Sequence, residues 1–167
     1  ALEELGMTIQ EATERWTSPW GEVMTKHNFE AAEVQLRRDR ERTEAIKPQG
    51  GVTKSYGDGA THTSEDRAGW GVLLVGAEEH RLRGRVPGKQ TNDKAEARAI
   101  LEGMLHTSIR DRLQILCDNQ GCVDTWHTLV EQKGRIQNPR QSNRALWTRI
   151  QGLAEARREA GAETEVR

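Results

Sequence analysis

The chain has 167 residues and a formal net charge of −1; 31% of its residues are charged and only 4% are aromatic. That length can form one sizeable hydrophobic core, so we expect one main domain. The balanced charge excludes a strongly basic protein, so nucleic-acid binding would have to come from local patches. Because the chain has neither an apolar run long enough to span a membrane nor a recognisable signal peptide, we expect an intracellular protein with no membrane partner.

Residues 1–49 are predicted to form a charged helical extension, separate from a domain over residues 50–167. Leu2–Arg15 is polar and helix-compatible, and a segment with Pro and Gly interrupts it. Asn28–Ile46 is predicted to form one long helix with a thin apolar stripe, so we expect it to pack on a neighbour. Its many arginines form either a solvated, ion-paired face or a contact with RNA or phosphate. The stripe consists of Phe29, Ala32, Leu36 and Asp39.

Beyond Pro48 and the two glycines that follow it, the hydrophobic periodicity changes from helical to strand-like. The predicted elements are strands Val52–Tyr56, Ala68–Gly76 and His80–Val86, helix Asn92–Thr107, strand Arg112–Cys117, helices Asn119–Gln132 and Asn143–Ala160, and strand Glu163–Arg167. This order combines an antiparallel meander with strand–helix crossovers. It predicts an α/β fold with a mixed five-stranded sheet flanked by helices.

Three acidic residues stand at the ends of these elements: Asp58 after the first strand, Glu96 at the start of a helix and Asp118 after the apolar strand. Carboxylates placed in this way can converge, and converging carboxylates bind hard divalent cations that hydrolyse phosphodiesters. Each acid also has a structural interpretation. Asp58 would be part of a hairpin turn, Glu96 would interact with the helix dipole, and Asp118 would cap the next helix.

Four short segments, in this order, resemble the type 1 ribonuclease H family. They are Asp58-Gly59, Gly69-Trp70-Gly71-Val72, Thr91-Asn92-x-x-x-Glu96 and Cys117-Asp118-Asn119-Gln120, and Leu146-Trp147 also matches. The resemblance covers residues 52–167 and implies an RNase H-like fold. It further implies that Asp58, Glu96 and Asp118 are catalytic ligands of two Mg²⁺ ions, with Mn²⁺ as a substitute. The implied reaction is hydrolysis of the RNA strand of an RNA–DNA hybrid.

The resemblance also implies substrate-binding residues. Asn92 and Gln120 match positions that contact the RNA strand, and Thr91 matches one that faces a DNA phosphate. Amide side chains suit 2′-hydroxyls and minor-groove edges because they both donate and accept hydrogen bonds. The alternatives are that Asn92 is a helix cap and that Gln120 is an ordinary surface residue.

Two departures from the family leave a second function open. The family usually adds a fourth carboxylate, and often a histidine, after the fifth strand, and this sequence reads as far as Arg167 within that strand. The family's basic protrusion is reduced to Lys133, Arg135 and Arg140. Arg81, Arg83, Arg85 and Lys89 either help to bind the hybrid or form a solvated strand face. The alternative function is therefore a catalytically impaired domain that serves as a structural or RNA-binding part of a ribonucleoprotein.

Residues 1–46 are similar to the linker that precedes RNase H domains in retrotransposon polyproteins, so we expect a larger polyprotein or ribonucleoprotein as partner. A different nuclease of the wider fold, such as an exonuclease or integrase, is disfavoured by the segments around Asn92 and Asp118. The two cysteines, Cys117 and Cys122, are predicted to be reduced core thiols, because zinc would need further ligands at regular spacing. They indicate a reducing compartment such as the cytoplasm, nucleus or an organelle matrix.

Overall fold

The computed structural model describes residues 16–17, 23–62, 67–86, 92–132 and 143–167. The predicted helix Leu2–Arg15 and the predicted basic residues Lys89, Lys133, Arg135 and Arg140 lie outside these ranges, as does Thr91. At the N-terminal side, two short antiparallel strands, β1 (Trp16–Thr17) and β2 (Val23–Met24), precede helix α1 (Lys26–Glu44). Among the described helices, none is long and apolar enough to cross a membrane.

The main sheet has five strands in the order β5-β4-β3-β6-β7. The strands β3, β4 and β5 form an antiparallel meander, whereas β6 and β7 run parallel to β3. Their bounds are β3 Val52–His62, β4 Arg67–Val75, β5 Glu79–Arg85, β6 Arg112–Cys117 and β7 Thr164–Val166. The helices are α2 Asn92–Leu105, α3 Gln120–Trp126 and α4 Arg144–Glu159, and a π-helical turn, His127–Glu131, follows α3. The predicted fold class is therefore confirmed.

One face of the sheet, the inner face, packs against the helices. Along β3 the burial alternates, with Thr53 and Ser55 buried and Lys54 and Tyr56 exposed, as expected for a strand covered on one side. The hydrophobic core joins β6 and β7 to helices α2, α3 and α4. Its largest fully buried side chains include Trp126, Trp147, Ile100, Leu101, Met104, Ile115, Ile150 and Leu153.

Strand β3 is longer than the predicted strand Val52–Tyr56. Asp58 pairs with Gly71 and Gly59 pairs with Trp70, both inside the β3–β4 ladder. The interpretation of Asp58-Gly59 as a hairpin turn is therefore wrong, and the connection between the two strands falls at residues 63–66, outside the described part. The local Asp-Gly signal is overridden because the pairing of β3 with β4 continues to His62.

The predicted helix Asn119–Gln132 is not one regular α-helix. Helix α3 ends at Trp126, and a π-helical turn follows in which the backbone N–H of Gln132 donates to the carbonyl of His127 at 2.9 Å. This wider turn contains Leu129, which is buried in the same core as Trp126. The core contacts thus extend beyond the regular helix.

Helix α1 packs against α4, as its thin apolar stripe predicted. Asp39, the last residue of the stripe, is buried, and so is Thr43 one turn further along the helix. Asp39 is only 2% exposed, and both of its carboxylate oxygens accept from the guanidinium of Arg149 on α4, each at 2.9 Å. Gln35 also donates to Asp39 at 3.0 Å. A buried carboxylate of this kind is tolerated because both of its oxygens accept hydrogen bonds and its main donor is positively charged.

The segment between α1 and β3 is held by Asp111, which is buried in the turn before β6. Its carboxylate accepts from the backbone N–H groups of Gln49 at 2.9 Å and Gly50 at 3.0 Å. The carbonyl of Asp111 in turn accepts from the fully buried Arg157, which also donates to the carbonyl of Ser108 at 3.0 Å. Burial lowers the pKa of Arg157 to about 10, and the charge of Asp111 opposes that shift.

Candidate active site

Two of the three predicted acids lie side by side where β6 ends next to β3. Strands β3 and β6 are parallel, and the last pair in their register is Gly57 with Cys117. Asp58 and Asp118 are the next residues on the two strands, and neighbouring strands lie about 4.8 Å apart. Both side chains are exposed. The sheet therefore brings Asp58 and Asp118 next to each other near the carboxyl end of β6, as the predicted topology required.

The third acid, Glu96, comes from helix α2 on the inner face of the sheet. Strand β3 approaches this helix very closely at Gly59, where a Cβ atom would lie 2.8 Å from both the Cβ of Ala95 and the backbone nitrogen of Glu96. Only glycine fits at this contact. The close approach allows the backbone N–H of Gly59 to donate to the carboxylate of Glu96.

Glu96 is 5% exposed, and its Oε2 atom is buried without a hydrogen-bond partner in the described structure. Burial is the main cause that raises the pKa of this carboxyl group. The Gly59 N–H opposes the shift, while the negative charges of Asp58, Asp118 and Asp93 add to it. A buried carboxylate oxygen without a donor is costly unless a cation or another group satisfies it.

The structural interpretations of Glu96 and Asp118 are both wrong in detail. Helix α2 begins at Asn92, so the acid in its first turn is Asp93, and Glu96 lies one turn further on. The residue that caps α3 is Asn119 and not Asp118, because the Oδ1 atom of Asn119 accepts from the backbone N–H of Cys122 at 3.0 Å. Asp118 thus has no cap role that would explain its position.

Asp93 is the acid near this site that the sequence motifs did not identify. It is exposed, and its Oδ1 atom accepts from the Nδ2 of Asn119 at 3.4 Å. The one signal in the sequence that could have found it is its i,i+3 spacing from Glu96, which places both carboxylates on one face of a helix.

Of the predicted substrate-binding residues, the structure describes one side chain. Gln120 is exposed at the start of α3 and donates through Nε2 to Asp124 at 2.8 Å. Asn92 is the first residue of α2, and Thr91 lies outside the described residues. The roles of all three remain predictions.

Within the described ranges, no three histidine, cysteine, aspartate or glutamate side chains form a group that could hold a metal ion as they stand. The available donors nevertheless suit a hard divalent cation, since carboxylate oxygens are its preferred ligands. Glu96 contributes a buried oxygen that lacks a protein donor. Asp58 and Asp118 are exposed, so their side chains can turn toward a cation at little cost.

Both cysteines are free, Cys117 half-buried and Cys122 buried, as predicted for core thiols. Burial is the largest cause that raises both thiol pKa values, that of Cys122 to about 12. The acids described above add to this shift. At neutral pH both cysteines are therefore protonated and poor nucleophiles or metal ligands.

Comparison with known protein families gives a direct match. The family model for RNase H matches residues 51–160, which is more than half of the chain. The chain therefore belongs to the RNase H family. Curated protein sequences yield no significant match.

Among solved structures, the fold is similar to one titled "Crystal structure of LC11-RNase H1 in complex with RNA/DNA hybrid". The TM-score is 0.53 at 13% sequence identity, over 69% of this chain and 83% of the other. At this low identity, the structural similarity shows a shared fold and nothing more. The family and the fold expected from the sequence motifs are thus both confirmed.

Proposed function

We propose that this domain is a divalent-metal-dependent endonuclease that hydrolyses the RNA strand of RNA–DNA hybrids. Membership of the RNase H family and the likeness to a hybrid-bound RNase H1 support this function. The observation that carries it is the carboxylate of Glu96, which is buried among the charges of three other acids and has an oxygen without a protein donor. Such an arrangement is unfavourable for stability and suited to cation binding.

In this proposal Asp58, Glu96 and Asp118 hold two Mg²⁺ ions, for which Mn²⁺ can substitute. Bound metal supplies an activated water and stabilises charge on the leaving oxygen. The protein contributes neighbouring positions on β3 and after β6 for Asp58 and Asp118, and the contact at Gly59 that fixes Glu96. The closely packed helix α2 keeps Glu96 away from water, which strengthens its interaction with a cation.

We assign the substrate contacts to polar residues around these acids. Gln120 and Asn92 stand beside Asp118 and Glu96 in the chain and would contact the RNA strand, and Thr91 would contact a DNA phosphate. Arg83 on β5 pairs with Gly71 on β4, which pairs with Asp58 on β3. The three residues form one row across the sheet, which supports a role for Arg83 in binding a phosphate near Asp58.

The test is cleavage of a labelled RNA–DNA hybrid with Mg²⁺ by the variant Asp118→Asn. This change keeps the shape of the side chain but removes one ligand charge, and we expect the rate to fall by more than about 100-fold. The matched control is Asp124→Asn, an exposed acid on α3 whose substitute still accepts the Gln120 hydrogen bond. Undiminished cleavage by Asp118→Asn would refute the assignment.

A second candidate function is binding without cleavage, in a structural or RNA-binding role within a larger assembly. The raised pKa of Glu96 favours it, because burial disfavours the charged form of the carboxylate that a metal ligand requires. Hybrid that is bound but never cut by the wild-type protein, at any Mg²⁺ or Mn²⁺ concentration, would identify this second function. Metal-dependent cutting would exclude it.

A further inference from the structure

We propose that Asp93 is a positioning residue of the acidic site and provides its fourth negative charge, a role that rests on the function proposed above. Asp93 is the first of the three unassigned residues in the motif Thr91-Asn92-x-x-x-Glu96, so the family resemblance gives it no role. Three separate features of the structure place it between the two segments that carry Glu96 and Asp118.

The first feature is its place on helix α2. Asp93 lies in the first turn and Glu96 lies three residues later. Side chains at i and i+3 lie on the same face of a helix, with Cβ atoms about 5–6 Å apart. Asp93 is exposed whereas Glu96 is buried, so Asp93 lies on the solvent-accessible part of the helix face that carries Glu96.

The second feature is the contact between Asp93 and Asn119. The Nδ2 atom of Asn119 donates to the Oδ1 of Asp93 at 3.4 Å, while the Oδ1 of Asn119 caps helix α3 by accepting from Cys122. Asn119 directly follows Asp118. Asp93 therefore links the helix that carries Glu96 to the loop that carries Asp118, and it holds the side chain of Asn119 in the orientation that caps α3.

The third feature is the unsatisfied acceptor at the centre of the group. Oε2 of Glu96 is buried and has no donor in the described structure, which indicates that a positively charged ligand belongs there. Asp93 lies one helical turn from this carboxylate, on the same face of the helix. A negative charge near a cation site strengthens cation binding even where it is not a direct ligand.

The experiment separates the charge of Asp93 from its hydrogen bond. Asp93→Asn removes the charge, but its amide oxygen can still accept from Asn119, whereas Asp93→Ala removes both. The probe is Mn²⁺, titrated into the complete chain by isothermal titration calorimetry, with thermal melting of each variant. Asp124→Asn is the matched control, because it neutralises another exposed acid that lies on α3 and not on the helix that carries Glu96.

We expect Asp93→Asn to bind Mn²⁺ about tenfold more weakly than the wild type with an unchanged melting temperature, as for other residues that act next to metal ligands. We expect Asp93→Ala to bind at least as weakly and Asp124→Asn to bind normally. Wild-type affinity in Asp93→Asn would overturn the inference, even if Asp93→Ala binds weakly, because the charge would then have no role. If the wild type itself binds no Mn²⁺, the proposed function fails with it; if only Asp93→Asn is unaffected, the proposed function stands.

Discussion

The side chain of Glu96 is a source of instability, because its carboxylate is buried close to other negative charges. Its carboxylate is buried, receives one backbone hydrogen bond from Gly59 and lies within reach of three other negative charges. Folding therefore favours the protonated form of Glu96, although the proposed chemistry needs the charged form. Groups that reduce stability in this way commonly occur at functional sites.

Replacement of this acid by Glu96→Gln should stabilise the fold at neutral pH. Because folding raises the pKa of Glu96, its stabilising contribution is complete at low pH and is lost as the pH rises through that raised pKa. The amide mimics the protonated form, so we expect a gain on the order of 1 kcal/mol at pH 7, about 2–4 °C in melting temperature. The gain should shrink as the pH is lowered.

Thermal melts of the wild type and Glu96→Gln across a pH series measure this effect. Glu163→Gln is a suitable control, because Glu163 forms only an exposed ion pair with Arg112 and should change stability very little. The prediction would be contradicted if Glu96→Gln were no more stable than the wild type at pH 7. It would also be contradicted if the difference in melting temperature increased as the pH is lowered.

At the level of elements, the described structure shows one buried and one exposed ion pair between α1 and α4. Asp39 and Arg149 form a bidentate pair in which the aspartate is 2% exposed. Arg40 and Glu159 are 3.6 Å apart, and their side chains are 40% and 45% exposed. Burial makes the first pair far more sensitive to the loss of one partner.

Asp39→Ala should therefore destabilise the protein by on the order of 3 kcal/mol, since it leaves a largely buried guanidinium without its carboxylate. Chemical denaturation measures the free energy of unfolding. Glu159→Ala removes the exposed pair between the same two helices and should cost less than about 1 kcal/mol. Similar losses in the two variants would show that burial of the Asp39 pair is not what holds α1 on α4.

The edge strand β5 provides the second prediction at this level. Arg81, Arg83 and Arg85 are exposed and alternate with residues that face the helices. The neighbour of Arg83 is Gly71, where an added Cβ would meet no atom closer than 4.0 Å. The surface between Arg83 and Asp58 is therefore open, and a phosphate can approach both.

Arg83→Gln should weaken binding of a labelled RNA–DNA hybrid and lower the salt dependence of the affinity by about one phosphate contact. Fluorescence anisotropy at several salt concentrations measures both quantities. Arg110→Gln, which removes an exposed charge from the turn before β6, should leave both unchanged. If the affinity of Arg83→Gln and that of the wild type depended on salt concentration to the same extent, the arginines of β5 would be an ordinary solvated strand face.

At the level of the whole molecule, the proposed boundary at residue 49 separates segments that contact each other. The carbonyl of Thr43 on α1 accepts from the backbone N–H of Ile109 at 3.3 Å, and Asp111 holds the backbone at Gln49 and Gly50. Asp39 lies against α4 as described. These contacts suggest that α1 stabilises the domain to which it is attached, although the motifs of the family begin after it.

Removal of residues 1–46 should therefore lower the stability of the remaining chain at least as much as Asp39→Ala does, roughly 3 kcal/mol. The reason is that Arg149 loses its partner and part of α4 becomes exposed. The comparison is made by denaturant unfolding of the shortened and complete chains. Equal stability would mean that residues 1–46 are an independent extension, as the sequence alone suggested.

Local signals in the sequence were sufficient for much of this fold. Short apolar runs, and alternation in β5, located all five strands of the main sheet, and helical periodicity located α2 and α4 to within about two residues. These signals work because burial on one face produces a period of two or 3.6 residues wherever the partner lies. They failed at the end of β3 and after Trp126, where long-range pairing and core packing outweigh local preference.

The amino-acid sequence by itself determined the α/β class and the RNase H family and predicted the three acids, because each depends on residue types at short spacings. Only the tertiary structure decided that Asp58 belongs to a strand and not a turn, that Asp39 is buried in an ion pair, and that Asp93 contacts Asn119. Those outcomes depend on which distant segments contact each other, and the sequence pattern of one segment does not show which other segment it will contact.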